Sequence, residues 1–249
     1  MNSSTKVVVV DHGGLLFRSI FAWEVSKKFP ATWIYMSMLL ANLKRLNLKK
    51  DDLLILAVDS KQGSWRRDYD KDYKANRKEN REKHKDIDWN YMFKQFNELV
   101  VKIDIGSPFH VVEINKCEAD DIIAVSCRYF KDREVVVVSS DSDMEQLVAH
   151  SNVKIFSPMT KKFKVIKNPY EILAKKVDIE KVDNLISPIL NDEQFERRFK
   201  LVNLLELPNE ITKKVEQELD NIDKNKTYNL DFLPFKKTKD NFLALYANN

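Results

Sequence analysis

At 249 residues and 43% hydrophobic content the chain can fill one large α/β core, and 32% charged residues imply a heavily solvated surface. No run approaches the roughly 18 uncharged apolar residues of a membrane span. Strand-like sequence begins by Lys6, leaving no room for a signal peptide, and the two cysteines, Cys117 and Cys127, match no zinc spacing and fit a reducing cytoplasm.

Taken in chain order, four apolar, β-branched runs stand out: Val7–Val10, Leu53–Val58, Phe109–Val112 and Val135–Val138. Each is followed by a polar turn and then by a helical pattern. Strands buried on both faces read as continuous apolar runs, and their alternation with helices predicts a mostly parallel sheet. Helices are expected over about 14–28, 32–47, 89–104, 119–131 and 142–149, a fifth strand over Asn152–Phe156, and a hairpin strand over Lys162–Ile166. Beyond Pro169 helices follow one another without strands, at about 169–176, 190–205 and 208–221, before an aromatic, Lys-rich tail ending in Phe242–Tyr246. This divides the chain into an α/β domain over 1–168 and a helical C-terminal region over 169–249.

The acids have a pattern. Asp11 follows the first apolar run, Asp59 the second, and Asp141 and Asp143 the fourth, while Glu118, Asp120 and Asp121 open a helix after the third. In an open parallel sheet the loops after the strands' carboxyl ends share one edge, where ligands bind, so these acids should converge. Taken singly, an acid at the start of a helix also reads as an ordinary N-cap, though Asp59 precedes no obvious helix start. Together they exceed what helix ends can use, and without a cation they would repel and raise one another's pKa values. An all-oxygen site suits Mg²⁺ or Mn²⁺, one or two ions, rather than zinc. His12, beside Asp11, reads as incidental.

Residues 61–85 carry ten Lys or Arg against five acids, more than the whole chain's net +4. Two readings are open for this segment: an exposed helix laced with ion pairs, or a phosphate-binding element. Trp65, Tyr69 and Tyr73 interleave with the cations, either to stack on bases or to pack. Lys161, Lys162, Lys164 and Lys167 likewise fit a phosphate contact or a charged strand edge.

Asp59, Gly63, Trp65-Arg66-Arg67 and Tyr73-Lys74-Ala75-Asn76-Arg77, with Glu118-Ala119-Asp120-Asp121 and Ser139-Ser140-Asp141-Ser142-Asp143, resemble the flap-endonuclease (5′-nuclease) family over roughly residues 5–167. Gly63–Arg67, Ser139–Asp143 and the stretch around Asn152–Met159 look like its T-even phage branch. The resemblance implies a three-layer, PIN-like fold and metal-dependent 5′–3′ hydrolysis of phosphodiesters in DNA or RNA–DNA hybrid with 5′ ends or flaps, as in primer removal. It implies metal positions at Asp11, Asp59, Glu118 and Asp120, with Asp121 and Asp141 close by and Asp143 toward a second ion. Residues 61–88 would form a helical arch in which Arg66, Arg67, Tyr73, Lys74, Arg77 and Arg81 meet nucleic acid. Lys74 would contact the scissile phosphate and share the catalytic role with Asp141 and Asp143. A single-strand-binding protein or sliding clamp is the partner implied for the tail, against a terminal helix folded onto the chain's own core.

The resemblance weakens after residue 167. Where the family carries Gly-Asp-x-x-Asp-Asn, this chain has Ile179-Glu180-Lys181-Val182-Asp183-Asn184. Glu180 and Asp183 either complete a second metal site or form a solvated face. No Gly-rich helix–hairpin–helix sequence follows, and the chain has four glycines in all. Two other readings therefore stand beside the 5′-nuclease: a PIN-like single-strand ribonuclease, and a non-catalytic nucleic-acid-binding replisome protein.

Overall fold

The computed structural model describes residues 5–75, 81–178, 192–223 and 225–246. Six strands form one sheet: β1 (Val7–Asp11), β2 (Leu53–Val58), β3 (Phe109–Glu113), β4 (Val135–Val138), β5 (Val153–Ser157) and β6 (Lys162–Phe163), in the order β3-β2-β1-β4-β5-β6. All pairs are parallel except β5–β6. Strand order reverses beside β1, which pairs with β2 on one side and β4 on the other, so the crevice above β1 is the topological switch point of the sheet.

The valines of β1 are all buried because both sheet faces are covered. Val8 and Val10 point into a core shared with Leu54, Leu56, Val136 and Val138; Val7 and Val9 point into the opposite core with Ile55, Ala57, Val135 and Val137. The first core is roofed by α1 (His12–Ser26), α2 (Ala31–Leu43) and α4 (Trp89–Gly106); the second by α5 (Ala119–Tyr129) and α8 (Asn209–Asp220). A short α3 (Trp65–Tyr69), capped by the Ser64 hydroxyl on the Arg66 N–H, lies between β2 and α4.

Two elements differ from expectation for identifiable reasons. The helix expected over 142–149 is a 3₁₀ segment, Asp143–Ala149; it buries Met144 and Leu147, three apart, which a three-residue turn stacks on one face. The hairpin strand shrinks to Lys162–Phe163, and Val165 is 92% exposed.

Beyond residue 168 come α6 (Pro169–Asp178), α7 (Asp192–Val202), α8 and α9 (Lys236–Tyr246). Ile211, Val215 and Leu219 of α8 join the α5 side of the sheet, and Phe242 and Leu245 of α9 join the opposite core, with Phe242 edge-on to Phe109. The tail therefore folds onto the chain's own core. A third, smaller core unites Tyr73 with Leu173 and Val177 of α6 and Leu201 and Val202 of α7. Among the described residues no helix is long and apolar enough to cross a membrane.

Candidate active site

Sheet register brings the acids together. Val10 pairs with Val138 and Asp11 with Ala57, so Ser139 and Asp59, one and two residues further on, flank Asp11 at the carboxyl edge. Asp11 ends β1 and caps α1: its Oδ1 accepts from the Gly14 N–H at 3.1 Å and its Oδ2 from the Ser139 hydroxyl at 2.9 Å. A Cβ at Gly14 would stand 2.8 Å from Asp11 Oδ2, so only glycine lets this carboxylate fold back over its helix. Asp59 Oδ1 accepts from the Ala119 N–H at 2.8 Å, capping α5 from another strand. Asp59 and Asp141 are solvent-exposed, Asp120 is half-buried, and Asp11 is buried.

Asp11 lies within electrostatic reach of Asp59 and Asp141, and Asp120 within reach of Asp11, Asp141 and Glu118. Burial pushes Asp11 up to about 6, and the charges of Asp59 and Asp141 push the same way, against the hydrogen bonds from Gly14 and Ser139. Burial also holds Asp120 well above the usual carboxylate range; Lys74 opposes this, while Glu118, Asp11 and Asp141 add to it. Both acids bind protons more tightly than a free aspartate chiefly because burial disfavours their charged form, with the neighbouring carboxylates adding to it. Among the described residues no three acids close into a finished metal cage. The donor set is all carboxylate oxygen, with raised proton affinity at Asp11 and Asp120, and it nonetheless fits a hard divalent cation.

A pH dependence follows from Asp11. Between the usual 3.8 and about 6 the folded chain binds a proton that the unfolded chain has released, so this group's contribution to stability falls as pH rises through that window. A change from 3.8 to about 6 is worth about 3 kcal/mol. In metal-free buffer the stability of Asp11→Asn relative to the parent chain is expected to grow by roughly that amount between pH 4 and pH 6.5. Urea unfolding at both pH values measures it; a constant difference would remove Asp11 from the crowded cluster.

Glu118 behaves oppositely. Burial raises its pKa, but the Lys74 and Arg66 cations outweigh burial and hold it below the usual range. Lys74 Nζ lies 3.1 Å from both Glu118 oxygens, and Oε2 also takes the Tyr73 hydroxyl at 3.0 Å and Arg66 Nη1 at 3.1 Å. Lys74 reaches this position from a left-handed backbone, φ 56°, an unfavourable conformation for a side-chain-bearing residue.

Several expectations need correction. Asp121, grouped by sequence with the metal ligands, is fully buried and has a supporting place: Oδ2 accepts from Trp65 Nε1 and the Glu118 N–H, and Oδ1 pairs with Arg66 at 2.8 Å. Arg66 and Tyr73, grouped with the nucleic-acid contacts, are 1% and 4% exposed and turned onto Glu118. Of that group Arg67 is exposed, Arg81 lies half-buried over Phe93, and Lys74 is the cation at the acidic edge. Asp143 opens the 3₁₀ segment with its N–H on Asp141 Oδ1, 2.8 Å away. Arg77, Glu180 and Asp183 lie outside the described residues. His12 is a core residue: its Nδ1 meets the Tyr35 hydroxyl at 2.8 Å, and burial holds it neutral, down to about 4.

Two contributors had not been singled out. Ser139 buttresses Asp11 and also accepts from the Asp141 N–H at 3.0 Å. Arg18 reaches Ser140 from α1 at 3.5 Å. Its spacing, four after Gly14 and seven after Asp11, puts it on the helix face above the crevice.

A mostly parallel sheet covered on both faces, with acids gathered at its switch point, defines a three-layer α/β protein with an acidic site at the carboxyl edge of its sheet. The family described as 5′-3′ exonuclease, N-terminal resolvase-like domain matches residues 6–178, and the chain belongs to it. Over 160 residues it is 35% identical to the ribonuclease H of Enterobacteria phage T4; the match takes in 60% of this chain and 52% of that protein, so it spans about half the relative's length. Among solved structures, the phage T5 5′-exonuclease with bound zinc ions superposes with a TM-score of 0.65 at 17% identity, covering 96% of this chain and 99% of that one. A complex of the T5 flap endonuclease with DNA and metal ions gives 0.65 at 18% identity, covering 96% and 98%. At such identities the likeness is one of fold.

Proposed function

We propose that the chain is a divalent-metal-dependent 5′–3′ nuclease that hydrolyses phosphodiesters in DNA or RNA–DNA hybrid bearing 5′ ends or flaps, in primer removal of the kind phage replication needs. The observation that carries this reading is the set of four acids from four segments, Asp11, Asp59, Asp120 and Asp141, at one sheet edge, with two of them holding protons abnormally tightly. Lys74, from the segment rich in Lys and Arg, stands beside Glu118 next to that edge, and a relative from phage T4 at 35% identity is named a ribonuclease H.

Asp11, Asp59, Asp120 and Asp141, with Glu118 on one side and Asp143 on the other, would hold Mg²⁺ or Mn²⁺. When bound, such an ion supplies a lowered pKa for an attacking water and charge stabilisation on the phosphoryl and leaving oxygens. The chain's own residues do the rest. Ser139 and Gly14 fix Asp11 so that it presents its carboxylate at the edge rather than swinging with solvent. Asp59 is fixed by the α5 terminus in the same way. Lys74 supplies the cation: its ammonium, held here between the Glu118 oxygens, would turn to the scissile phosphate and offset charge developing there. Exposed Arg67 and, beyond the described residues, Arg77 would steer the strand by its phosphates.

The test is release of short 5′ products from a 5′-labelled flap duplex and from an RNA–DNA hybrid, with Mg²⁺, with Mn²⁺ and with EDTA, beside Asp141→Asn. Metal-dependent release that falls by at least about 10²-fold in the variant is expected. A variant with most of its activity sinks the assignment of Asp141. Silence on both substrates, with cleavage of single-stranded RNA, would reassign the chain as a PIN-like ribonuclease.

A further inference from the structure

The Arg66 guanidinium belongs to the basic segment by sequence and to the interior by position. It is 1% exposed and stacks on Trp65, 4.6 Å from the ring centre. Its Nη1 lies 3.1 Å from Glu118 Oε2 and 2.8 Å from Asp121 Oδ1, and its Nε donates to the Leu201 carbonyl at 2.8 Å. One rigid plane thus joins α3, the start of α5 and the end of α7.

The end of α7 is a meeting point for other parts of the site. The last carbonyls of a helix have no partner within it, and here partners come from the elements that carry the acids. Gln146, three residues after Asp143, donates to the Val202 carbonyl at 3.1 Å and accepts from the Leu204 N–H at 3.2 Å. Arg128 of α5 donates to the carbonyls of Leu204 and Leu205. Farther up α7, Arg197 pairs with buried Asp70 at 2.5 Å and Lys200 sits over Tyr69. A buried cation between two carboxylates is a poor way to gain stability alone, since apolar residues of similar volume often do as well. What a planar fork adds is direction: it holds a carboxylate in one orientation, which a lysine ammonium does not.

We propose that Arg66 is a positioning residue for Glu118, and that through the Leu201 carbonyl it makes the C-terminal helices set the geometry of the carboxylate cluster. The inference rests on the reading of Glu118 as a cation ligand given above.

The experiment is Mn²⁺ binding to the metal-free chain, without nucleic acid, by titration calorimetry well below the melting temperature. It compares the parent with Arg66→Gln, Arg66→Lys, Arg197→Ala and Asp59→Asn, each also melted in EDTA. Loss of an orienting partner typically weakens metal affinity about 10–100-fold, and that is expected of Arg66→Gln. Arg66→Lys should recover part of the loss, and Arg197→Ala, which loosens α7 at the surface, should show a smaller loss in the same direction. If Arg66→Gln does not fold, the other two carry the test. Parental affinity in folded Arg66→Lys and Arg197→Ala, with affinity lost in Asp59→Asn, overturns the inference and leaves the site reading standing. Parental affinity in Asp59→Asn as well overturns both.

Discussion

Asp120→Asn is expected to lower the rate of phosphodiester cleavage by at least about 10²–10³-fold while melting at or above the temperature of the parent chain in EDTA. Among the described residues nothing hydrogen-bonds or pairs with the Asp120 carboxylate, so an amide there breaks no contact. Its proton affinity is raised by burial and by Glu118, Asp11 and Asp141, which means that its charge works against the fold. Neutralising it relieves that repulsion and removes one of the carboxylates proposed to hold the cation. A drop in activity matched by a drop in melting temperature would count against this account, because the residue would then be holding structure. Parallel assays in Mg²⁺ and thermal melts in EDTA separate the two outcomes.

Asp121→Ala reverses the pattern. It strands three donors at once: Arg66, 2.8 Å away, Trp65 Nε1 at 3.1 Å and the Glu118 N–H at 2.9 Å, all in a site with no solvent access. Breaking a buried ion pair from one side costs about 3–5 kcal/mol, or a fall in melting temperature of roughly 6–20 °C for a chain of this size. The loss should be the same in EDTA and in Mg²⁺, because Asp121 holds Arg66 rather than an ion. Asp121→Asn, which can still accept from Trp65 and from Glu118, should lose less. A stability loss confined to Mg²⁺ buffer would restore Asp121 to the ligand set.

The positions of the acids could be read from the sequence because two simple signals coincide there. Continuous β-branched runs mark strands buried on both faces, and in a parallel sheet whatever follows a strand's carboxyl end arrives at the same edge. Asp11, Asp59 and Asp141 needed nothing more. The N-cap reading was also sound for Asp11, which caps α1, and for Glu118 and Asp121, which form a capping box; Asp59, which precedes no helix start of its own, caps α5 from 60 residues away. Capping uses one oxygen of Asp59 and orients the carboxylate, so the two roles are complementary. The basic segment was less legible. Ten cations in 25 residues fix a charge density but not which side chains turn inward, and Arg66 and Tyr73 do so only because Glu118 and Asp121, some 45–55 residues on, offer charge in the interior. The grip on the end of α7 by Arg66, Gln146 and Arg128 joins segments up to 135 residues apart and leaves no local pattern.

The position of β1 at the middle of the sheet has a consequence for how the chain is made. Val7 pairs with Leu53 on one side and with Val135 on the other, so β1 waits for its second partner across 128 residues. At typical elongation rates of about 5–20 residues per second, that is a delay of roughly 6–25 s. During it the valines of β1 present an open, uncharged strand edge of the kind that recruits other chains. The same delay orders the assembly of the acids. Asp11 and Asp59 meet early, whereas Ser139 and Asp141 arrive with β4, when the exposed edge is sealed. A nascent chain thus gains Asp141 only at the step that closes the open edge of β1.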